Sequence, residues 1–476
     1  MERREFIRRM LVGGAALTWS GLFSHAAPFE AEAQTPVEGL RIAEALELLE
    51  RGKGKNTMPE IRPEIRSNPR AVFLIETRVS VEKDEHGCFS KAAPQLREAG
   101  KLAASLIMRK GERRGGSTLI KPNLTMTPDP VLFPEVGVNT SANFMAGFIE
   151  GLRELGNTNV IVGDRGGNFR THTGLGMYAV FKPLDIPIME PSYPKFSDYR
   201  KYELNWTRVP EPVVWKHIPT IRPIGDRDNL FINMPKLKAH NLGLTTLSIK
   251  NLQGAVPKGY GHYCDQWGAL EYLAEAAYGI DFKRDFNAGF HERVEAAFLK
   301  HRAEGFRYWD SEQSYPKYEA KGGWKVFREI RKNPEKAKEF MDGIPNLMWD
   351  EQWCQRAIDS AAAIRPHLNI VEGVIGRDGS GFAIGNDALC NIVVVGLSPY
   401  EVDAVASYIM GHNPRELYYT RIFNERGLGR NNPEEIEIHL LSGDGIVRVR
   451  SLSEIRRFRL GVNLHSHQEQ GKLLFW

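Results

Sequence analysis

The sequence predicts an α/β fold, a largely parallel sheet flanked by helices and interrupted by a helical insertion. Three observations carry this. Short apolar, β-branched runs at residues 118–120, 160–163, 230–232, 368–371 and 391–395 alternate with stretches of helical periodicity, the order a parallel sheet needs because its crossovers are helical. Several of these runs end in the same polar chemistry of lysine, asparagine, aspartate and glycine, as expected where ligands sit beyond the carboxyl ends of strands. The composition, 42% hydrophobic and 26% charged over 476 residues, is that of a globular chain long enough to bury one substantial core or two.

Residues 1–33 are expected to be a targeting segment. Arg3-Arg4-Glu5-Phe6-Ile7-Arg8 resembles a twin-arginine export signal, residues 10–17 are apolar, and Ala31-Glu32-Ala33 is a small-x-small cleavage pattern. The apolar run is shorter than a bilayer-spanning helix needs. The expectation is therefore passage through the twin-arginine machinery to the periplasm or another extracytoplasmic space, with no stable membrane span after cleavage. An uncleaved anchor is the alternative. Because that route carries folded proteins, it hints at a bound cofactor.

The net charge of +4 is small for this length and no long basic run appears, which argues against general nucleic-acid binding. Cys88, Cys264, Cys354 and Cys390 are far apart, with no C-x-x-C pair, so no iron–sulfur cluster or zinc ribbon is expected. In an exported protein they could oxidise in any of three pairings. Cys390, just before Asn391-Ile392-Val393-Val394-Val395-Gly396, has the setting of a buried hydrophobe.

Residues 34–70 form a charged leader with helical periodicity at 37–50, expected to be a linker or peripheral wrap. The α/β core begins at 71 and its first part runs to 265. Residues 71–77 form a strand and 91–110 a helix with Leu96, Leu102, Ile107 and Met108 as apolar positions. The strand at 118–120 runs into Lys121-Pro122-Asn123-Leu124, where a proline fixes the backbone between two polar residues. A helix over 141–155 closes at Gly156. The strand at 160–163 leads to Asp164-Arg165-Gly166-Gly167, whose glycines allow close backbone approach to an oxyanion. Asp164 and Arg165 could equally be a structural pair. Neither the G-x-G-x-x-G fingerprint nor a Walker A loop is present. Short strands are expected near 186–189 and 212–218.

Residues 229–251 are the most informative stretch. Leu230-Phe231-Ile232 is strand-like, and Pro235 is expected to stop the ladder because it has no N–H. Lys236, Lys238 and His240 alternate with Leu237 and Ala239, so in extended chain the three polar groups point one way. Asn241 is a suitable N-cap for a helix over 242–251, on which Thr246 and Lys250 are neighbours. A strand end, a cationic loop and a helix start would suit an anion or polar cofactor. Solvated loop lysines are the alternative. His262 could join His240 and a carboxylate as metal ligands, or be an ordinary hydrogen-bonded histidine.

Residues 266–350 are expected to be a helical insertion, with helices at 269–278, 290–301 and 325–340, acting as a lid or as decoration. The second part of the core, 351–476, returns to the strand–helix rhythm. Leu368-Asn369-Ile370-Val371 ends in Glu372-Gly373, and Gly376-Arg377-Asp378-Gly379-Ser380-Gly381 is a glycine-rich loop. The helix at 399–411 carries Asp403 among Val402, Ala404, Val405 and Ala406, a carboxylate that should be paired or coordinated. A helix over 414–427 and strands near 436–441 and 446–450 complete the chain.

Together these motifs resemble the domain of unknown function 362 family. The likeness rests on Lys121-Pro122-Asn123-Leu124, Asp164-Arg165-Gly166-Gly167, Asn233-Met234-Pro235-Lys236-Leu237-Lys238-Ala239-His240, Ser248-Ile249-Lys250-Asn251-Leu252-Gln253-Gly254 and the later His262. It continues through Leu368–Gly373, Asp378–Gly381 and Val402-Asp403-Ala404, covering roughly residues 70–412. Glu372 stands where the family more often has aspartate. The resemblance implies an α/β domain with its polar motifs near one site. It implies no agreed reaction. Some relatives carry a ferredoxin-like cysteine module, which this chain lacks.

The function expected from these residues is an exported enzyme acting on an anionic small molecule, a carboxylate or phosphate, by metal-assisted proton transfer or by hydrolysis. His240, Lys236 and Lys250 are the candidate catalytic residues. Lys121, Asn123, Asp164, Arg165, Gly166, Gly167, Lys238, Asn251, Gly379 and Gly381 would bind substrate, and His240, His262, Asp378 and Asp403 could hold a divalent metal. A non-catalytic ligand- or cofactor-binding protein and a redox-associated protein are the alternatives.

Overall fold

The structure, a computed structural model, describes residues 42–52, 56–85, 87–124, 137–164, 173–189, 201–213, 217–226, 228–240, 243–256, 347–379 and 385–462. Helix α1 (Ile42–Gly52), strand β1 (Glu60–Ile61), helix α2 (Pro63–Arg66) and strand β2 (Val72–Glu76) come first. Then follow α3 (Ala93–Ile107), β3 (Met108–Arg109), β4 (Ser117–Pro122), α4 (Ala142–Glu154), β5 (Val160–Gly163), α5 (Thr173–Phe181) and β6 (Ile188–Met189). Next are β7 (Leu204–Arg208), β8 (His217–Ile221), β9 (Asn229–Met234), β10 (Lys236–His240), β11 (Leu244–Thr246) and α6 (Ser248–Asn251). The last group is α7 (Leu347–Ile364), β12 (Leu368–Arg377), β13 (Asp387–Gly396), α8 (Pro399–Ile409), α9 (Tyr418–Glu425), β14 (Ile438–Ser442) and β15 (Gly445–Arg448). The expected insertion helices at 269–278, 290–301 and 325–340 lie outside the described residues.

Among the described residues, 11 strands make one sheet. Its main path runs β15-β14-β2-β13-β12-β9-β4-β5-β6, with β10 added against β12 and β11 against β10. The pairs β4–β5, β4–β9, β5–β6, β9–β12, β10–β12 and β2–β14 are parallel. Within this sheet the antiparallel pairs are β12–β13, β13–β2 and the hairpins β10–β11 and β14–β15, while β1–β3 and β7–β8 form separate antiparallel pairs. The fold is thus α/β with a mixed, mostly parallel sheet, as its strand–helix rhythm predicts.

Side-chain alternation along the strands builds a core on each face. Val72, Leu74, Phe231, Ile392 and Val394 join one buried cluster with residues of α1, α7, α8 and α9. Phe73, Ile75, Leu230, Ile232, Val393 and Val395 join the other with residues of α3, α4 and α5. Helix α1 belongs to the charged leader, yet it buries Ile42, Ala45 and Leu49 in the first cluster and so is part of the packed domain.

Two local expectations are corrected. Pro235 interrupts the ladder for one residue only. The chain resumes as β10, and the Pro235 carbonyl accepts a hydrogen bond from Glu372 N at 2.8 Å. Residues 242–251 are not one helix. Gly243 turns with φ of 73°, Leu244 follows at 64°, and Thr245 and Thr246 return as β11 along β10. The β-branched threonines favour that extended path, and only Ser248–Asn251 are helical.

Among the described residues no helix is long and apolar enough to cross a membrane. Helices α3 and α4 cross closely because glycine faces backbone at the contact. A Cβ on Gly147 would lie 1.8 Å from the Arg97 carbonyl oxygen, and one on Gly100 would lie 1.9 Å from that of Phe144. Neither neighbour is the end of a flexible side chain, so a methyl group must push the helices apart. Gly147→Ala should therefore lower the unfolding free energy by about 1–3 kcal/mol, as overpacking does. Equilibrium urea unfolding measures this, with Gly443→Ala as the control because a Cβ there meets nothing within 4 Å.

Candidate functional site

The parallel register of β4, β9 and β12 sets three polar side chains in a row, with Lys121 opposite Asn233 and Asn233 opposite Asn369. Lys121 is 1% exposed, and its Nζ donates to Asp164 Oδ1 at 3.0 Å, Asn251 Oδ1 at 3.1 Å and the Pro122 carbonyl at 3.1 Å. Asp164, at the end of β5, also accepts from Leu124 N at 3.0 Å. Asn251 donates to Asn233 Oδ1 at 2.8 Å and to the Lys121 carbonyl at 3.1 Å. Asn233 passes the chain on to Asn369 Oδ1 at 2.9 Å, and Asn369 ends it on the Leu397 carbonyl at 3.0 Å. Gly254 closes over this row. A Cβ there would stand 2.0 Å from Asp164 Oδ1 and 2.7 Å from Lys121 Nζ, so a side chain would have to push the buried pair aside.

A second polar group forms along β10 and β12. Their parallel pairing sets Lys236 opposite Glu372 and Lys238 opposite Arg377. Lys236 and Glu372, 1% and 0% exposed at their side chains, form a tight ion pair. The same carboxylate accepts from Ser141 N at 3.2 Å and Val374 N at 3.0 Å. Arg377 pairs with Asp387 at 2.5 Å. Lys238 Nζ donates to the Val138 carbonyl at 2.7 Å. Burial holds the Lys238 amine well below its ordinary pKa, and the like charges of Lys250, Arg377 and Lys236 push in the same direction.

Residues 137–141 (Gly137-Val138-Asn139-Thr140-Ser141) tie the two groups together. A Cβ on Gly137 would meet Asp387 Oδ1 at 2.7 Å, Val138 holds Lys238, and Ser141 N reaches Glu372. Thr140 Oγ1 accepts from Asn123 N at 2.9 Å and donates to the Met234 carbonyl at 2.8 Å. Ser141 also caps α4 through Phe144 N, so the strap is anchored to a helix start.

The structure therefore brings together Lys121, Asn123, Asp164 and Asn251 in one group and Lys236, Lys238 and Lys250 in the other. His240 is buried at the end of β10, two positions beyond Lys238. Arg165, Gly166, Gly167, His262 and Gly381 lie outside the described residues. Gly379 N donates to the Gly461 carbonyl at 2.9 Å, tying β12's end to the chain after β15. Asp378 accepts from Asn386 N, and burial raises its carboxyl above the usual range. Asp403 accepts from Ser248 N at 2.7 Å and Ile249 N at 3.0 Å, so it is hydrogen-bonded rather than left alone among its apolar neighbours. Among the described residues no group of three or more His, Cys, Asp and Glu could hold a metal ion. Cys88, Cys354 and Cys390 are buried free thiols, and burial pushes Cys390 up to about 12.

Asp387, Asn369 and the strap do not stand out in the sequence as site residues. Only the strap leaves a local signal, a small polar run directly ahead of a helix start. The solvated-lysine alternative is overturned for Lys236 and Lys238, which are 1% and 0% exposed.

A family model described as Domain of unknown function (DUF362) matches residues 118–408. That span contains both polar groups and the strap. No curated protein and no solved structure matches the chain.

Removing the Lys236 ammonium would strand Glu372 as a buried charge. Lys236→Ala should cost about 3–5 kcal/mol of stability, while the double change Lys236→Met with Glu372→Gln should cost much less. Denaturant unfolding of the singles and the double measures the coupling. A second outcome concerns Asp403, whose carboxyl is raised to about 7, chiefly by burial and against the two N–H groups that it accepts. Above a pH of about 4 the unfolded carboxyl ionises while the folded one keeps its proton, so this group's contribution to stability falls as pH rises towards 7. Asp403→Asn cannot ionise. The stability difference between wild type and variant should therefore shrink across that window in urea titrations from acid to neutral pH, and parallel curves would refute the assignment.

Proposed function

The chain belongs to the domain of unknown function 362 (DUF362) family, and on that premise we propose that it is an exported enzyme acting on an anionic small molecule, a carboxylate or phosphate. The site is the corner of the sheet where β10, β12 and α6 meet. The observation that supports this most directly is the gathering of Lys236, Lys238, Lys250 and Arg377 there, close enough for the other three to depress the Lys238 amine. Glu372 and Asp387 already offset Lys236 and Arg377, and a bound anion would further relieve the repulsion among these groups. Lys250 is half-buried where Lys236 and Lys238 are fully buried, which makes it the group best placed to meet a ligand first.

The residues divide by role. Lys121–Asp164 and Lys236–Glu372 are satisfied buried pairs that hold the strand ends in place, so Lys236 supports the site instead of acting on substrate. Lys250 supplies positive charge, Arg377 shares its charge with Asp387, and Lys238 lends an amine donor. His240, at the end of β10, would serve as general acid or base. The export reading rests on Arg3-Arg4-Glu5-Phe6-Ile7-Arg8 and the apolar run after it.

A non-catalytic binding protein is the second reading. It is favoured by the pairing of Lys121 and Lys236 with carboxylates, which ties up two amines that a catalyst could have used. Turnover of a bound anion separates the readings.

Calorimetry and thermal-shift measurements with inorganic phosphate, pyruvate and succinate test the site. At least one anion should bind and raise the Tm, with an effect that weakens in high salt. Lys250→Ala should lower its affinity about tenfold, roughly 1.4 kcal/mol, while leaving the protein folded. No response to any of the three, or an unchanged affinity in the variant, would overturn the proposal.

A further inference from the structure

We infer that β15 is a dimerisation edge, which pairs antiparallel with β15 of a second copy about a two-fold axis through Val447. The main path of the sheet ends at this strand. β15 pairs with β14 on one side and, among the described residues, with no strand on the other. The phase of the hairpin fixes which backbone groups are spare. Val449 N donates to the Ile438 carbonyl at 2.8 Å, and Ser442 opposite Gly445 closes the turn. Residues 445, 447 and 449 therefore face β14, and the N–H and carbonyl groups of Ile446 and Arg448 face outward. A row of outward backbone groups is a template for another strand.

The side chains along this edge are self-complementary. Val447 is 63% exposed, the most exposed large hydrophobic residue among those described. On the axis it packs against its own copy, in the close, non-hydrogen-bonded position of an antiparallel pair. Ile446 then faces Arg448 of the second copy and exchanges both backbone hydrogen bonds with it. Val449 faces the second copy's Gly445, around which a side chain meets nothing within 4 Å. Arg450 comes opposite the second copy's Asp444, and the two-fold axis repeats that ion pair. On the face of Ile446, a groove of about 470 Å³ is lined by Leu441, Ile446, Leu106 and Glu64. Arg448 of the second copy enters this groove and meets Glu64. Within one copy, among the described residues, no ion pair engages Glu64, Asp444, Arg448 or Arg450. Charged residues on an edge strand ordinarily keep other strands away. Here each arginine finds a carboxylate across the axis.

The outward groups let the register move only in steps of two. A step one way sets Arg448 against Arg448, like charges directly opposite each other. A step the other way sets Val447 against Gly445 and leaves it without an apolar partner. The pairing through Val447 avoids both. Because the strand is short, the dimer is a weak one that depends on concentration.

Sedimentation velocity of the purified full chain over about a hundredfold range of concentration tests the pairing. The chain should pass from monomer to dimer, and high salt should weaken the dimer. Val447→Lys and Arg450→Asp should each raise its Kd about tenfold or more. Combining Arg450→Asp with Asp444→Arg should restore the wild-type Kd, because the charges are then exchanged across the axis. Mild oxidation of Val447→Cys should give a disulfide-linked dimer on non-reducing electrophoresis, while Tyr202→Cys, exposed ahead of β7, should not. The cross-link needs one change at an exposed position, so it decides the matter even if a charge variant fails to fold. A monomer at every concentration, with no cross-link at 447, would overturn the inference. So would a dimer that ignores Val447→Lys and Arg450→Asp. A chain that stays monomeric but binds polyglutamate through Arg448 and Arg450 would give the edge to an acidic partner and overturn self-pairing.

Discussion

Moving an ammonium group from water into a protein interior costs several kcal/mol unless its protons find acceptors and its charge finds compensation. This chain buries Lys121, Lys236 and Lys238 on one sheet, and much of the architecture around them serves that requirement. Asp164 is brought to Lys121 by the parallel pairing of β4 and β5, and Glu372 to Lys236 by that of β10 and β12. Asn233, Asn251 and Asn369 carry hydrogen bonds between strands where water cannot reach. A methyl group at Gly254 or Gly137 would press against these polar groups. Placing ammonium groups in the interior thus dictates glycines, asparagines and carboxylates at positions far apart in the chain.

Much of this was legible in the sequence, for a physical reason. A strand announces itself through β-branched periodicity, and the polar residues just past its end are visible as departures from that pattern. Lys121, Asp164, Lys236, Lys238 and Asn251 stand out in this way. Their partners are harder to see. Asp387 opens a strand, and Asn369 lies inside one, where a single polar residue in an apolar run has no neighbour to betray its role. The pairings 121–164, 236–372 and 377–387 depend on strand order, which periodicity does not encode. The region after Pro235 misleads for a related reason. A proline and an asparagine look like punctuation between strand and helix, but Gly243 and two threonines turn the chain into a hairpin instead. The burial of Lys236 and Lys238 was not legible at all, because alternation shows which side of a strand a residue faces and not what covers that side.

Two kinds of lysine therefore coexist at this edge of the sheet. Those held by a carboxylate are structural members, and replacing them tests folding. The Lys238 amine donates to the Val138 carbonyl, and burial with the like charges of Lys250, Arg377 and Lys236 holds it below its ordinary pKa. The strap at 137–141 joins the two groups, since Val138, Ser141 and Thr140 of this one short segment contact Lys238, Glu372 and the Asn123 backbone respectively.

Strand β12 supplies Asn369 to the first group, and Glu372 and Arg377 to the second, while pairing with β9 over its start and β10 further on. Sliding it by a single position would turn all three side chains to the opposite face at once, breaking an amide link and two charge pairs together. Its alignment is thus locked electrostatically as well as by apolar packing, and the strand acts as a ruler for the whole edge. Loss or gain of one residue between Leu368 and Arg377 would be far more damaging than a similar change in the Ser442–Gly445 turn, where the chain is exposed and a side chain added at Gly443 meets nothing.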